Sequence, residues 1–427
     1  MLSHKDNEYM SRIGAETAMG TYVRRFWTPL MLSSDLAEPG GTPQEARLFG
    51  ENLVAFRDSD GRVGVLQALC PHRQAPLVYA RNEECGLRCI YHGWKFDVDG
   101  TCLDMPNEAP ESVFKDRVRA DAYPTAEAAG VIWVYLGPRD CLKQPEVPDM
   151  EWMRVPDSYR NVHRFHLEGN WVQAMEGDVD SSHIGFLHKN LRDLRDPAKA
   201  ERENRYQALD KAPKWVIQPT DYGMMIAARR NAEEDAYYWR INQVMLPFYT
   251  SVAAPIDGSA GLLHMWVPMD DSHTYVWTVM WRTQRPMTER ERSDMTEGPT
   301  PHVATYDPVT GGLRGNHQNR FFQDRLEMRS ETFSGIFGIR EQDAAMTVGM
   351  GPIVDRSKEH LGAADSAVIA LRRILIKAAR DLESGEEPYA PYHGDAYRRR
   401  AWSAVLPRND DFLNDPVANK MHDSLVP

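Results

Sequence analysis

Four residues in the first quarter of the chain have the types and spacing of a metal site: Cys70-Pro-His72 and, 16 residues on, Cys89-Ile-Tyr-His92. Each half offers one thiolate and one imidazole from turn-like sequence. That is the donor set of a [2Fe–2S] centre with two Cys on one iron and two His on the other. The same four side chains would also suit a structural zinc. The two readings differ in chemistry. Neutral histidine ligands place a cluster at roughly −150 to +300 mV, suited to an electron relay, whereas zinc has no redox chemistry and serves as a folding staple. The C-x-H half is unusual among zinc ribbons, where C-x₂₋₄-C pairs dominate, and favours the cluster. Cys85 has no histidine two or three residues on. It is read as a small buried side chain, as are Cys102 and Cys141.

A second constellation follows downstream: Asn170-Trp-Val-Gln-Ala-Met-Glu176-Gly-Asp178-Val-Asp180-Ser-Ser-His183-Ile-Gly-Phe-Leu-His188. On one helix, Glu176, Asp180 and His183 would fall at i, i+4 and i+7, a single face. His188 would then lie roughly 140° round from His183. Both reach one metal only if the ion sits between them or the helix is distorted. Two histidines and one carboxylate hold non-haem Fe(II) on one face and leave positions open for O₂ and substrate. Alone, such histidines read as ordinary polar residues near a helix end; a redox cluster upstream makes iron the stronger reading. Asp324, Glu341, Asp343 and Asp355 are candidates for the carboxylate, and spacing does not choose among them.

The elements that must carry these groups are legible in outline. Residues 48–145 read as all-β: apolar runs Leu53–Phe56, Val63–Leu66 and Val131–Leu136 alternate with turn sequences such as Ser59-Asp60-Gly61 and Gly137-Pro138. Residues 145–156 carry prolines and suit a linker. A helix is expected from Asn170, then strands over Gly223–Arg229, Ala236–Val252 and Gly261–Trp281. Residues 285–315 are expected as a surface loop, and helical segments from about 316 to 332. The clearest helix is 365–383, with Val368, Leu371, Ile374 and Leu375 at helical spacing. The net charge of −12 argues against nucleic acid or an anionic membrane as partner. No apolar run approaches the roughly 20 residues of a membrane span, and the polar start of the chain is read as that of a cytoplasmic protein.

The stretch CPHRQAPL…CGLRCIYHGWKFDVDG resembles the cluster-binding loops of the Rieske non-haem iron oxygenases. The segment from Glu176 to His188 is similar to that family's E-x₃-D-x₂-H-x₄-H pattern at every marked position. The resemblance extends from Phe26-Trp27-Thr28-Pro29 to Asp355-Arg356-Ser357. It implies a Rieske [2Fe–2S] cluster on Cys70, His72, Cys89 and His92, and a mononuclear Fe(II) on His183 and His188. It makes Asp180 a bridge between the sites, hydrogen-bonded to a ligand histidine and to a cluster histidine across a subunit boundary. Glu176 and Asp178 are left as supporting or solvated residues. FSGIFGIREQDAAMTVGMGPIVDRSKEHLG is similar to the phthalate dioxygenase branch, in which the aspartate of the Gln-Asp pair binds iron; that selects Asp343. The implied fold is α+β: an all-β Rieske domain and a catalytic domain whose curved antiparallel sheet is gripped by helices. The expected divisions are an N-terminal segment over 1–22, the Rieske domain over 23–145 and the catalytic domain over 146–427.

The activity expected is that of a terminal oxygenase acting on an aromatic carboxylic acid. Dioxygenation of a phthalate-like or phenoxybenzoate-like ring and O-demethylation of a methoxylated acid are rival outcomes. No G-x-G-x-x-G nucleotide loop is present, so electrons from NADH should arrive through a separate flavin and iron–sulfur reductase, with or without a ferredoxin. The family expectation for assembly is a head-to-tail homotrimer or stacked trimers. Tyr238, Arg240 and Asn242 alternate onto one strand face. Arg240 there would clamp a carboxylate through paired hydrogen bonds, against the plainer reading of an arginine on a solvated face. Two other classes compete. A Rieske-type electron carrier leaves residues 170–190 unexplained, and a zinc-stabilised binding protein would be colourless.

Overall fold

A computed structural model describes residues 2–139, 143–191, 202–253, 260–298, 301–410 and 423–426; Cys141 lies outside them. The short apolar runs of the N-terminal half form three small antiparallel sheets. Gln44–Leu48, Glu51–Arg57, Val63–Gln67 and Ala122–Tyr123 make one, in that order. Arg81–Glu83, Gly86–Arg88, Lys95–Phe96 and Cys102–Asp104 make the second, and Thr28–Leu32, Val131–Val134 and Thr125–Ala128 the third. Val131-Ile-Trp-Val is apolar at every position and buried at every position, as a strand covered on both faces must be. Glu84 and Cys85 form the turn between the first two strands of the second sheet, both with positive φ (48° and 60°). Holding a tight turn keeps Cys85 half-exposed, contrary to the buried side chain expected, whereas Cys102 is buried.

The second half is built on an antiparallel sheet, eight-stranded among the described residues. Its order is Arg160–Leu167, Thr274–Trp281, Gly261–Pro268, Tyr249–Val252, Ala236–Met245, Gly223–Asn231 and Lys214–Pro219. Trp402–Pro407 pairs with Ala236–Ile241, beside the point where Tyr249–Val252 pairs with Gln243–Met245. The run expected as one strand over Ala236–Val252 is therefore two, parted at the cis Leu246–Pro247 peptide. The loop expected over 285–315 contains a helix, Glu289–Glu297, opened by a capping box between Thr288 and Glu291, and Val303 and Ala304 beyond it are buried. Over 316–332 the helical segments are short, a 3₁₀ turn at Arg320–Phe322 and a single α-helical turn at Glu327–Ser330.

Three helices cover the sheet around the expected site. Trp171–Val179 packs on Gly261–Pro268 and Tyr249–Val252, and is backed by Ile339–Gly349 and Ser366–Glu383. Asn170 caps the first through Val172 N–H (3.1 Å), while its amide donates to the carbonyls of Ser11 and Asp271. Gln173 donates to Thr347 O and Gly351 O at the far end of the second helix (3.0 and 2.8 Å). The N-terminal helix His4–Ser11 also docks here, through Asn7 to Val354 O and to Arg356. No helix among the described residues is long and apolar enough to cross a membrane.

Candidate active site

The first four candidates sit on twin loops. Cys70 N–H donates to Ala75 O and Gln74 N–H to Cys70 O (2.8 and 2.9 Å). In the second loop Cys89 N–H donates to Trp94 O and Gly93 N–H to Cys89 O at the same two distances. The fifth position of each, Gln74 or Gly93, takes positive φ (58° and 80°). A Cβ on Gly93 would lie 2.5 Å from Pro106 Cγ, so only glycine serves there. Both cysteines are buried. Burial, with the neighbouring Cys89 adding to it, pushes the Cys70 thiol up to about 12. The His72 and His92 rings meet at 4.4 Å between centroids, and His72 stacks on Trp94 at 4.2 Å and 11°. The Trp94 indole is held by Asn107 Oδ1 (2.7 Å). His72 Nδ1 is buried without a hydrogen-bond partner. A lone pair orphaned beside two buried sulfurs is a poor core but a fitting ligand set for a [2Fe–2S] cluster.

The second constellation departs from the helix-face picture. The helix ends at Val179, and Asp180 is its extended cap (φ −81°, ψ 102°). Asp180 Oδ1 accepts from Ser182 N–H (2.7 Å), turning the chain. Arg230 fixes that turn from the sheet by donating to Ser181 Oγ and O (3.1 and 2.5 Å). His183 then begins a short 3₁₀ turn. Leaving the helix is what lets both histidines face one point: His183 Nε2 and His188 Nε2 are 3.0 Å apart. His183 Nδ1 faces Asp180 Oδ2 at 3.4 Å, and His188 Nδ1 faces Gln342 Oε1 at 2.6 Å. Each Nδ1 is thus the donor, and the two Nε2 lone pairs point at each other. A proton on one Nε2, or a metal ion between them, relieves that arrangement.

Asp343, from the Ile339–Gly349 helix, completes the group. Its Oδ1 lies 3.2 Å from His188 Nε2 and 3.7 Å from His183 Nε2. One ligand atom from each of His183, His188 and Asp343 lies within 4.8 Å of the others. Burial works to raise the Asp343 pKa, but His188, Arg340 and His183 overcome it and hold the carboxyl well below its usual range. Asp324 and Asp355 instead cap local turns through Leu326 N–H and Ser357 N–H. Glu341 accepts from Thr305 N–H. The donor set of two imidazoles and one carboxylate suits mononuclear iron.

Glu176 and Asp178 are neither solvated nor at the metal group. Glu176 Oε1 accepts from Arg356 Nε and Arg372 Nε (3.0 and 2.7 Å) on the far side of the helix. Asp178 is bonded to His264 Nδ1 (2.7 Å) and to Thr250 Oγ1. The strand register puts Tyr238, Arg240, Asn242, Thr250, His264 and Thr278 on one face of the sheet. That face carries the site: Asn242 donates to Asp178 O (3.0 Å). Burial and, last, Arg240 oppose protonation of His183, but Asp180 and Asp343 outweigh them and raise its pKa. Burial lowers the Arg240 pKa. The guanidinium makes no hydrogen bond or ion pair with any described residue. Sequence reasoning passed over His264, Arg340, Gln342 and His302, the last a deeply set imidazole whose pKa burial pushes down to about 3.

Two family models match the chain: a Rieske [2Fe-2S] domain over residues 26–124 and a LigXa C-terminal domain like family over 134–425. The oxygenase subunit of 3-chlorobenzoate-3,4-dioxygenase from Comamonas testosteroni is 38% identical over 92% of this chain and 92% of its own. The phthalate 4,5-dioxygenase oxygenase subunit of Pseudomonas putida is also 38% identical, over 90% of this chain and 88% of its own. Among solved structures, the NdmA QL mutant of Pseudomonas putida CBB5 with theobromine shares the fold, with a TM-score of 0.59 and 18% identity over 92% of this chain and 99% of that one. The chain therefore belongs to the Rieske-type aromatic ring-hydroxylating oxygenases, enzymes whose cofactors are a Rieske [2Fe–2S] cluster and a mononuclear iron and whose co-substrate is O₂.

Proposed function

We propose that this chain is the terminal oxygenase that hydroxylates an aromatic carboxylic acid of the phthalate or benzoate type. In this reading Cys70, His72, Cys89 and His92 hold the cluster, and His183, His188 and Asp343 hold the iron. When bound, the iron activates O₂ with electrons that reach the cluster from NADH through a separate reductase. The chain's own residues orient and charge the site. Asp180 fixes the tautomer of His183 and places a negative charge between the two centres, and Gln342 does the same positional work for His188. Glu176 is a support, tying the helix to Arg356 and Arg372.

The observation that carries the substrate class is Arg240. Arg240 is half-buried, and Asp178 and Asp180 attract it without reaching it in an ion pair; a substrate carboxylate would supply the bonded partner in a forked pair of hydrogen bonds. Ala228, a small residue, lies opposite it in the strand register. The names of the two relatives, a chlorobenzoate and a phthalate dioxygenase, support the same class.

The test is single turnover of reduced, iron-loaded protein with ¹⁸O₂ over phthalate, isophthalate, chlorobenzoates, phenoxybenzoates and methoxylated benzoates. Two labelled atoms in a dihydrodiol identify ring dioxygenation, and one with formaldehyde release identifies O-demethylation. Product from neutral aromatics but from no acid refutes the substrate class. Arg240→Ala should raise KM for the acid at least about 30-fold, the equivalent of about 2 kcal/mol for an unpaired buried charge, with kcat changed less.

Assembly is read from two exposed apolar surfaces. Ile90 and Tyr91 on the cluster loops are 63% and 54% exposed, and Phe186, Phe333 and Phe337 lie exposed on the iron side. Among the described residues no hydrogen bond, ion pair or ring contact joins the cluster loops to the iron group within one chain. A head-to-tail homotrimer brings the first surface of one subunit to the second of its neighbour, so each cluster serves the next iron. Mixed oligomers of a cluster-dead and an iron-dead variant should then regain activity.

A further inference from the structure

The Asp343 carboxylate is divided between two tasks. Its Oδ1 faces the two histidines, while Oδ2 faces Arg340 Nη1 at 3.2 Å. Arg340 lies one helical turn before Asp343, on the same face, and its side chain is 5% exposed. Its second arm, Nη2, donates to His264 Nε2 at 2.9 Å, and the guanidinium lies over the Trp266 ring at 5.2 Å. Accepting that bond leaves Nε2 bare, so the His264 proton is on Nδ1, where it is donated to Asp178 Oδ2 (2.7 Å). Thr250 donates to the same Asp178 oxygen and receives Trp266 Nε1–H at 2.9 Å. The strand register sets Thr250 directly beside His264. A buried chain of contacts thus runs from the sheet to one oxygen of Asp343.

We infer that Arg340, held by His264 and Asp178, is the positioning residue that reserves Asp343 Oδ2 and so limits this carboxylate to a single-oxygen iron ligand. The inference rests on the iron-site reading above. A free carboxylate binds a metal through one oxygen or both, and the second mode would fill one of the positions this ligand set leaves open. Arg340 removes that choice by occupying Oδ2 with a charge-assisted hydrogen bond. His264 keeps the guanidinium from rotating away and acts on the metal only through Arg340. The charges alternate along the path: Asp178 negative, His264 neutral, Arg340 positive, Asp343 negative.

Metal binding and metal spectra of the full-length, cluster-containing protein test this without turnover. Fe(II) affinity is measured by chelator competition, and Co(II) loaded in place of iron reports coordination number through its d–d absorption. Arg340→Gln should shift the Co(II) bands toward higher coordination number and tighten Fe(II) binding about tenfold or more, because a second carboxylate oxygen is freed and a positive charge beside the metal group is lost. His264→Asn should do both to a smaller degree, and the double variant should go no further than Arg340→Gln, because both act on one oxygen. An unchanged Rieske EPR signal controls for folding. Wild-type affinity and an unaltered Co(II) spectrum in either variant overturn the inference, as do weakened binding without a spectral shift and additive shifts in the double variant. If Arg340→Gln does not fold, His264→Asn decides alone. Should the wild-type protein bind no stoichiometric Fe(II) or Co(II), or bind it equally after His183→Ala, the iron-site reading itself has failed.

Discussion

Replacing Glu176 separates support from chemistry, because this carboxylate lies in the metal-binding sequence pattern yet faces away from the metal group. Its Oε1 receives Arg356 Nε at 3.0 Å and Arg372 Nε at 2.7 Å, with side-chain exposures of 12%, 0% and 5% for Glu176, Arg356 and Arg372. Arg372 has a second carboxylate, Glu359, bonded through both arms. Among the described residues the Arg356 side chain has only Glu176 besides Asn7 and Ser11. Glu176→Gln therefore strands one fully buried guanidinium. Breaking a buried pair costs about 3–5 kcal/mol, and the retained acceptor oxygen puts Gln at the lower end. About 3 kcal/mol corresponds to a fall in Tm of roughly 6–12 °C for a domain of this size, and Glu176→Ala should fall further. The assay is thermal melting followed by far-UV circular dichroism, with turnover per folded enzyme measured well below the transition. Both variants should keep their iron and their turnover there. A Tm within about 2 °C of the parent, or lost turnover with an unmoved Tm, would refute the placement of Glu176 as a structural knot.

Asp180→Asn keeps the acceptor for Ser182 N–H but removes the charge facing His183; the cluster should still reduce, while its substrate-triggered reoxidation slows at least about tenfold in stopped-flow absorbance. His166 has a folded pKa near 4, below the ordinary 6.5, chiefly through burial and then the nearby Arg164. The folded protein thus takes up this proton at lower pH than the unfolded chain. Its contribution, at most about 3 kcal/mol, is full above the unfolded value and is lost as pH falls through the window down to the folded one. Tm measured between pH 7 and pH 4 should fall more steeply for the parent than for His166→Asn, and parallel curves would count against it.

The cluster loops were legible because their donors and turns are contiguous, so residue spacing alone carries the geometry. The iron site was legible only in part. His183 and His188 follow from spacing plus the cluster upstream, but Asp343 came from resemblance, since nothing local ties it to residues 150 or more positions away. The helix break at Asp180 had a local signal in Asp180-Ser-Ser, residues that favour turns, which the attraction of the i, i+4, i+7 pattern overrode. Thr288 and Glu291 likewise spelled a capping box inside a segment judged a loop by composition. His264 was marked by being polar in an otherwise apolar strand, Gly261–Pro268, and Arg340 by its i, i+3 spacing to Asp343. The left-handed turn at Glu84-Cys85 had no such mark, because neither residue is a usual turn former at positive φ.

The two metal sites also differ in how much chain must be in hand before they exist. The proposed cluster donors span residues 70–92, within a domain whose sheets close by Val131–Val134. The proposed iron donors span 183–343, and the knot around Glu176 draws in Asn7 across 349 positions to Arg356. Loop-closure entropy and contact order both delay such long-range meetings. During synthesis, which releases the N-terminal domain first, cluster insertion can precede completion of the chain, while the iron pocket forms only after the Ile339–Gly349 helix has docked. A stalled or truncated product would therefore be coloured but unable to load mononuclear iron, and iron occupancy serves as a natural gauge of finished folding.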